Sequence, residues 1–280
     1  MNSLLSIAYS ACLALALLAA FPGPVPAADR AVLRIGGTGS GTVLLDRLTK
    51  AFLKKNRDVD VEIVYPVLGS SGGMRALADG RIDVAVIGRK AKPDEHPGQL
   101  EIMPYAKTPL VLATSRKKGQ AGFSKAQFQT ILENGGGTWN DGKRINLVLR
   151  QPSESDMRTL ESLSPEIQAA LGKLIKLPST VTADTDLDAL DLLTRTPDSL
   201  RPTTLGLLML HDSALVPLTL DGVVPNLAAM DSGAYPLAKI LYIAVKSGVP
   251  SAPVERFIKW LHSAEAVSLL QSAGHRYLPP

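Results

Sequence analysis

Twice in succession the chain runs from an apolar, strand-like segment through a cluster of glycine and hydroxyl residues into a helical repeat. AVLRIGG (31–37), GTGSGT (37–42) and VLLDRLTKAFLKKN (43–56) come first; DVEIVYPV (60–67), GSSGG (69–73) and MRALADG (74–80) follow. Leu44, Leu45, Leu48 and Phe52 recur near one helical face while Lys50, Lys54 and Lys55 fall off it, the pattern of an amphipathic helix laid on a sheet. A further apolar run, IDVAVIG (82–88), ends the second repeat. Such alternation predicts an α/β fold with a mainly parallel sheet, in which loops at the carboxyl ends of strands build the ligand site.

Downstream, TPLVLATS (108–115), INLVLR (145–150) and KILYIAVK (239–246) read as strands, and KAQFQTILEN (125–134) reads as a helix. Helices are also expected from Met157 and within the acidic TADTDLDALDLLTR (182–195). TPDSLRPTT (196–204) reads as a breaker cluster, followed by the short apolar run LGLLML (205–210) and a hairpin region. APVERFIKWLHSAEAVSLLQSAG (252–274) predicts one closing helix, with Pro253 in its first turn and Gly274 as its stop.

With 280 residues, 45% of them apolar and 20% charged, the chain can bury a large core in one domain or two lobes. The net charge of +4 is spread along the chain rather than gathered into a basic, aromatic-interleaved block. Nucleic-acid binding is therefore not expected, and an anionic small ligand is favoured. Residues 1–27 carry no charged side chain; their apolar block ends at PGPVP, with Val25 and Ala27 at the −3 and −1 positions of a cleavage site. This predicts a cleavable signal peptide and export to the periplasm rather than a membrane anchor. The single cysteine, Cys12, lies in that block, so neither disulfides nor cysteine catalysis are expected of the mature chain.

GTGSGT, GSSGG and PSESD (152–156) share one physical form: each follows a strand, offers small hydroxyls and precedes a helix. A helix start leaves backbone N–H groups unpaired and carries partial positive charge, so it attracts an oxyanion, and glycine allows close approach. Taken singly, each loop reads more simply as a helix cap. Recurrence in one chain, with Arg89 and Arg150 at strand ends to give bidentate donors, favours an anion cradle with hydroxyls from Thr42, Ser70, Ser71 and Ser155. GSSGG also satisfies G-x-S-x-G, which would make Ser71 a hydrolase nucleophile with Asp231 and His262 or His275 as partners. That serine comes early in the chain, however, and no HGGG-type loop precedes it. The glycines at 37, 39 and 41 do not fit G-x-G-x-x-G, since Thr42 takes the last position, and the four histidines show no metal spacing. No cofactor, metal or catalytic residue is expected.

In their order and spacing these segments resemble the phosphate-binding-protein-like substrate-binding proteins of ABC transporters. The resemblance is carried by GSGT (39–42), GSSGG, GRIDVAVIGR (80–89), FQTILENGGGTWNDGKRINLVLR (128–150), YPLAKILYIAVK (235–246) and the ending FIKWLHSAEAVSLLQSAGHRYLP (257–279). It implies a two-lobed type II periplasmic binding protein fold, each lobe a mainly parallel sheet flanked by helices, with the ligand cleft between them. The implied division is a signal peptide at 1–27, lobe 1 at 28–109 and 237–280, and lobe 2 at 110–236, with crossings near 108–113 and 232–238. The ligand set it implies is Thr42 and the Val43 amide, Ser70, Arg150 and the region of Ser155. With Ser71, Arg89 and Asp156 from the loops, these complete the candidate site. The implied role is delivery of a small oxyanion by a monomer to a membrane permease, through hinge closure of the lobes.

Two departures bear on which anion that is. Counting from Asp83, the acceptor aspartate of strict phosphate binders falls at Gly88, with Arg89 next. RQPSESD (150–156) stands in place of R-x-x-[GS]-S-G-T and brings in Glu154 and Asp156. Capping of the helix from Met157 together with an ion pair to Arg158 or Arg89 is the expected role of these acids, with contact to a donor-bearing ligand as the alternative.

Overall fold

The computed structural model describes residues 30–280 except 96, 117, 118, 120, 178, 179, 212–214 and 249; the expected signal peptide and Cys12 lie outside the described residues. Short 3₁₀ turns apart, the elements up to the middle of the chain are β1 (Ala31–Gly37), α1 (Gly39–Lys55), β2 (Val59–Ile63), α2 (Gly69–Ala78), β3 (Val84–Ile87), β4 (Leu100–Thr114), β5 (Gly122–Phe123), α3 (Lys125–Glu133) and β6 (Asn146–Arg150). There follow α4 (Ser155–Glu161), α5 (Pro165–Leu174), β7 (Val181–Ala183), α6 (Asp186–Arg195), β8 (Ser199–Thr204), α7 (Leu205–Leu210) and β9 (Val216–Leu220). The last are α8 (Leu227–Asp231), β10 (Ala238–Lys246), α9 (Ala252–Leu261), α10 (Ala264–Ser272) and β11 (Arg276–Tyr277).

The strands are ordered β2-β1-β3-β10-β4-β8-β6-β7. β1 runs parallel to β2 and β3, and β6 runs parallel to β7 and β8. Between these parallel groups lie β10 and β4, antiparallel to each other and to their outer neighbours. β4 is long enough to serve both: Leu100–Pro109 lies along β10 and Leu110–Thr114 along β8, so its partner changes between Pro109 and Leu110.

Alternation of side chains along a strand gives each half of the sheet two apolar faces. On β3, Val84 and Val86 join Leu44, Leu48, Phe52, Phe257 and Trp260 on one face, whereas Ala85 and Ile87 join Met74 and Leu77 on the other. Phe52 and Phe257 meet edge to face at 5.3 Å between centroids, a favourable quadrupole arrangement. In the second half of β4, Leu110 and Leu112 pack with Phe128, Leu149 and Leu171, while Val111 and Ala113 pack with Leu190, Leu193 and Leu207.

Four expectations need correction. The glycine-rich segments are not loops: Gly39 and Gly69 open α1 and α2, so both stretches form first helical turns. Leu100–Lys107 extends the strand read from Thr108. TPDSLRPTT contains β8, in which Pro202 faces Leu112; pairing to β6 ends at Leu200, so the missing N–H of Pro202 removes no bond on that side. The closing helix is two helices, because the Ser263 hydroxyl accepts the Ala266 N–H at 3.2 Å and caps α10.

Candidate functional site

Thr38 is the N-cap of α1, yet its hydroxyl does not cap that helix. It donates to Asp186 Oδ2 at 3.2 Å, and the Ser40 N–H donates to the same oxygen at 3.0 Å. Asp186 opens α6, whose own cap is Thr185, accepting the Asp188 N–H at 3.0 Å. An aspartate carried by another helix thus supplies the cap of α1. The approach depends on Gly39, where a Cβ would lie 2.8 Å from Asp186 Cβ.

Arg150, at the end of β6, pairs through Nη1 with Asp186 Oδ1 and through Nη2 with Glu154 at 2.8 Å, and it donates to the Asp184 carbonyl at 3.1 Å. Lys239 Nζ, from β10, pairs with Asp156 Oδ1 at 2.5 Å. Arg201, on β8, donates to the Pro202 carbonyl at 2.8 Å and to the Asp186 carbonyl at 3.4 Å. Arg150, Arg201 and Lys239 therefore face Glu154, Asp156 and Asp186, with all but Glu154 at most 3% exposed. Buried charges need such pairing, because desolvation otherwise disfavours them strongly.

Burial alone would raise the Asp186 carboxyl; the charges of Lys239 and Arg150 and the Ser40 N–H outweigh it and hold the group well below the ordinary range. Lys239 is moved up, because Asp156 and Asp186 together outweigh its burial. Glu154 goes up, since burial outweighs Arg150, and Arg201 goes down to about 10 by burial despite Asp156 and Asp186.

The candidates read from sequence fall into three groups. Arg150, Asp156 and Ser155 lie in or against the charge cluster, and Ser70 accepts the Gly88 N–H at 3.1 Å beside it. A Cβ at Gly88 would lie 2.6 Å from Ser155 Oγ and 2.7 Å from Lys239 Cε, so glycine at this position lets α4 and Lys239 approach β3. Thr42 is fully buried with its hydroxyl unpartnered; its N–H is already given to Thr38 O at 2.8 Å, and Val43 packs against the apolar face that holds Val111. Ser71 and Arg89 form a separate network, in which Arg89 pairs with Glu95 at 2.5 Å and donates to Ser71 at 2.7 Å, drawing Glu95 down to about 2. Glu154 and Asp156 pair with Arg150 and Lys239 rather than with Arg158 or Arg89, and Glu154 makes no capping hydrogen bond.

No Ser71 triad forms. Asp231 is held by Lys107 and Arg276, His262 Nδ1 is 2.8 Å from Tyr277 Oη, and the buried His275 Nδ1 is 2.8 Å from the Ala273 carbonyl. Among the described residues there is no group of three or more His, Cys, Asp or Glu able to hold a metal, and no helix long and apolar enough to cross a membrane.

Side-chain capping divides the helix starts into two sets. Ser124, Ser164, Thr185, Thr204, Asn226 and Ser263 each accept an N–H of the helix they precede. At α1, α2 and α4 no N-cap side chain does so, a feature shared with α9. Asp186, Arg201 and Lys239 escaped the sequence reading because they sit in an acidic helix start, a supposed breaker and a strand; the available signal was a basic residue inside each of two apolar strands.

Two predictions arise directly. Gly88→Ala should destabilise the protein by about 1–3 kcal/mol, the usual effect of overpacking, read as a lower calorimetric midpoint. Acidification should also destabilise it, because the folded-state values of Asp186 and Glu95 are depressed. Their contribution is complete above the unfolded carboxylate range of about 4 and is lost as pH falls through the folded values. Glu154, raised by burial, has the opposite sign and offsets part of this. Urea midpoints at pH 6, 4 and 3 should fall in that order.

The sequence profile of the PBP superfamily domain matches residues 24–265. No curated protein sequence matches the chain. Among solved structures, a putative phosphate ABC transporter substrate-binding protein with bound phosphate from Clostridium perfringens superposes with a TM-score of 0.74 at 16% identity, covering 89% of this chain and 100% of the other. An ABC-type phosphate transport receptor from Vibrio cholerae gives 0.61 at 18% identity, covering 89% and 100%. The periplasmic molybdate-binding protein of Azotobacter vinelandii gives 0.60 at 17% identity, covering 89% and 99%. With its match to the superfamily profile over most of its length, and with parallel outer strands joined through β10 and β4 in the type II fold of these similar structures, the chain belongs to the PBP superfamily.

Proposed function

We propose that this protein is an exported solute-binding protein that captures a small oxyanion, phosphate or a related anion, for a membrane ABC permease. One observation carries this: buried Arg150, at a strand end, converges with the start of α1 on a single carboxylate, so cation, hydroxyl and backbone N–H already hold an oxyanion group. These are the donors that stabilise anions at helix starts. The phosphate and molybdate named for similarly folded proteins support this anion class.

The partner change of β4 between Pro109 and Leu110 supports a hinge there, with lobe 1 at 28–109 and 237–280 and lobe 2 at 110–236. Thr38, Ser40 and Lys239 then belong to one lobe, and Arg150, Asp156 and Asp186 to the other. Closing the lobes over the ligand presents a distinct surface to the permease. The signal read at 1–27 would direct the protein, as a monomer, to the periplasm.

A panel of phosphate, sulfate, molybdate, phosphonates and small carboxylates, first by thermal shift and then by calorimetry, tests the assignment. One anion should raise the midpoint, by about 2.7 kcal/mol of added stability at a hundredfold excess over its Kd. Absence of any response would refute oxyanion capture. It would instead favour a binding-fold sensor or interaction protein, a reading that the self-contained pairing of the charge cluster also supports.

A further inference from the structure

We propose that Asp186 is a built-in anion of the cradle, and that a free tetrahedral oxyanion binds only by exchange with its carboxylate; this rests on the oxyanion-capture reading above. The carboxylate is 3% exposed and takes the Ser40 N–H, the Thr38 hydroxyl and the Arg150 guanidinium, donor types that a bound oxyanion would use. Its place is prepared by Gly39, whose missing side chain leaves room for it.

The charge balance points the same way. Arg150, Arg201 and Lys239 are matched by Glu154, Asp156 and Asp186, so an added anion has no surplus cation to meet unless a carboxylate withdraws or is protonated. Of the three, Asp186 is the one that accepts the helix-start N–H of α1. Lys239 holds Asp156. The donor set is nonetheless larger than one carboxylate fills: Ser40 Oγ and Arg150 Nε, on residues that already hold Asp186, are buried without hydrogen-bond partners. A tetrahedral anion offers four acceptor oxygens where Asp186 offers two, and unpaired buried donors are unfavourable until they are met. Asp186 therefore lowers affinity for anions in general and selects for one that can use the donors it leaves over.

Asp186→Asn keeps the shape and removes the charge. Titration of wild type and Asp186→Asn with inorganic phosphate, sulfate and molybdate should show the variant binding its best anion at least tenfold more tightly than wild type does. Tight wild-type binding that the variant does not improve would overturn the exchange and leave oxyanion capture standing. Binding by the variant alone would show an internal anion that no solute displaces, overturning both the exchange and capture by the wild-type protein. No binding by either would refute both. Should Asp186→Asn fold poorly, Asp186→Ala provides a second reading. Millimolar phosphate or acetate, against chloride of equal ionic strength, should restore its lost thermal stability; failure to restore it, including chains that stay unfolded in the anion, counts against a replaceable internal anion.

Discussion

Lys239→Met should lower the stability of the protein by about 3–5 kcal/mol, the range for removing one partner of a buried ion pair. The Lys239 and Asp156 side chains are 1% and 3% exposed, and they link β10 to α4. Methionine replaces the apolar stem but leaves the Asp156 carboxylate buried beside a thioether. For a domain of this size the expected fall in Tm is roughly 6–20 °C. Lys239→Met combined with Asp156→Leu should recover most of the loss, since replacing both ions by apolar groups is often neutral or favourable. Calorimetry of wild type, both single variants and the double variant closes the cycle; a coupling below about 0.5 kcal/mol would show that the pair adds nothing beyond independent effects.

A loss of about 3–5 kcal/mol is likewise expected for Arg150→Met, accompanied by disappearance of any anion-dependent rise in Tm. Arg150 serves Asp186, Glu154 and the Asp184 carbonyl at once, so methionine removes the cation from two carboxylates. Glu154, already raised by burial, can respond by protonation, whereas Asp186 keeps Ser40, Thr38 and the nearby Lys239 charge. Adding Asp186→Asn to Arg150→Met should therefore restore part of the stability without restoring the anion response. That contrast separates the structural role of the arginine from its ligand role. A full anion response in Arg150→Met would move the binding site away from this cluster.

The α/β alternation was legible in the sequence because its signals are local. The spacing of Leu44, Leu48 and Phe52 defines a helical face over about two turns, and VAVI at 84–87 is apolar throughout because its strand is covered on both faces. Where local signals competed, they misled. Pro202 reads as a breaker, yet β8 pairs there with β4, and β6 makes no demand on its nitrogen. Ser263 caps α10 inside a pattern whose apolar period alone reads as one uninterrupted helix.

The candidate site was legible in its arginine and helix starts but not in its charge pairing. Arg150 at a strand end, and the Thr38–Thr42 turn opening α1, are features of contiguous residues, and the sequence by itself determined them. Only the tertiary structure decided that the acid facing that turn is Asp186, 146 residues away from Ser40, and that Lys239 meets Asp156 across 83. In an acidic helix start Asp186 has the same local signature as any solvent-exposed capping acid. What makes it an internal anion is distance through space and removal from water, and both are settled by how β4, β6 and β10 stack the chain rather than by any window along it.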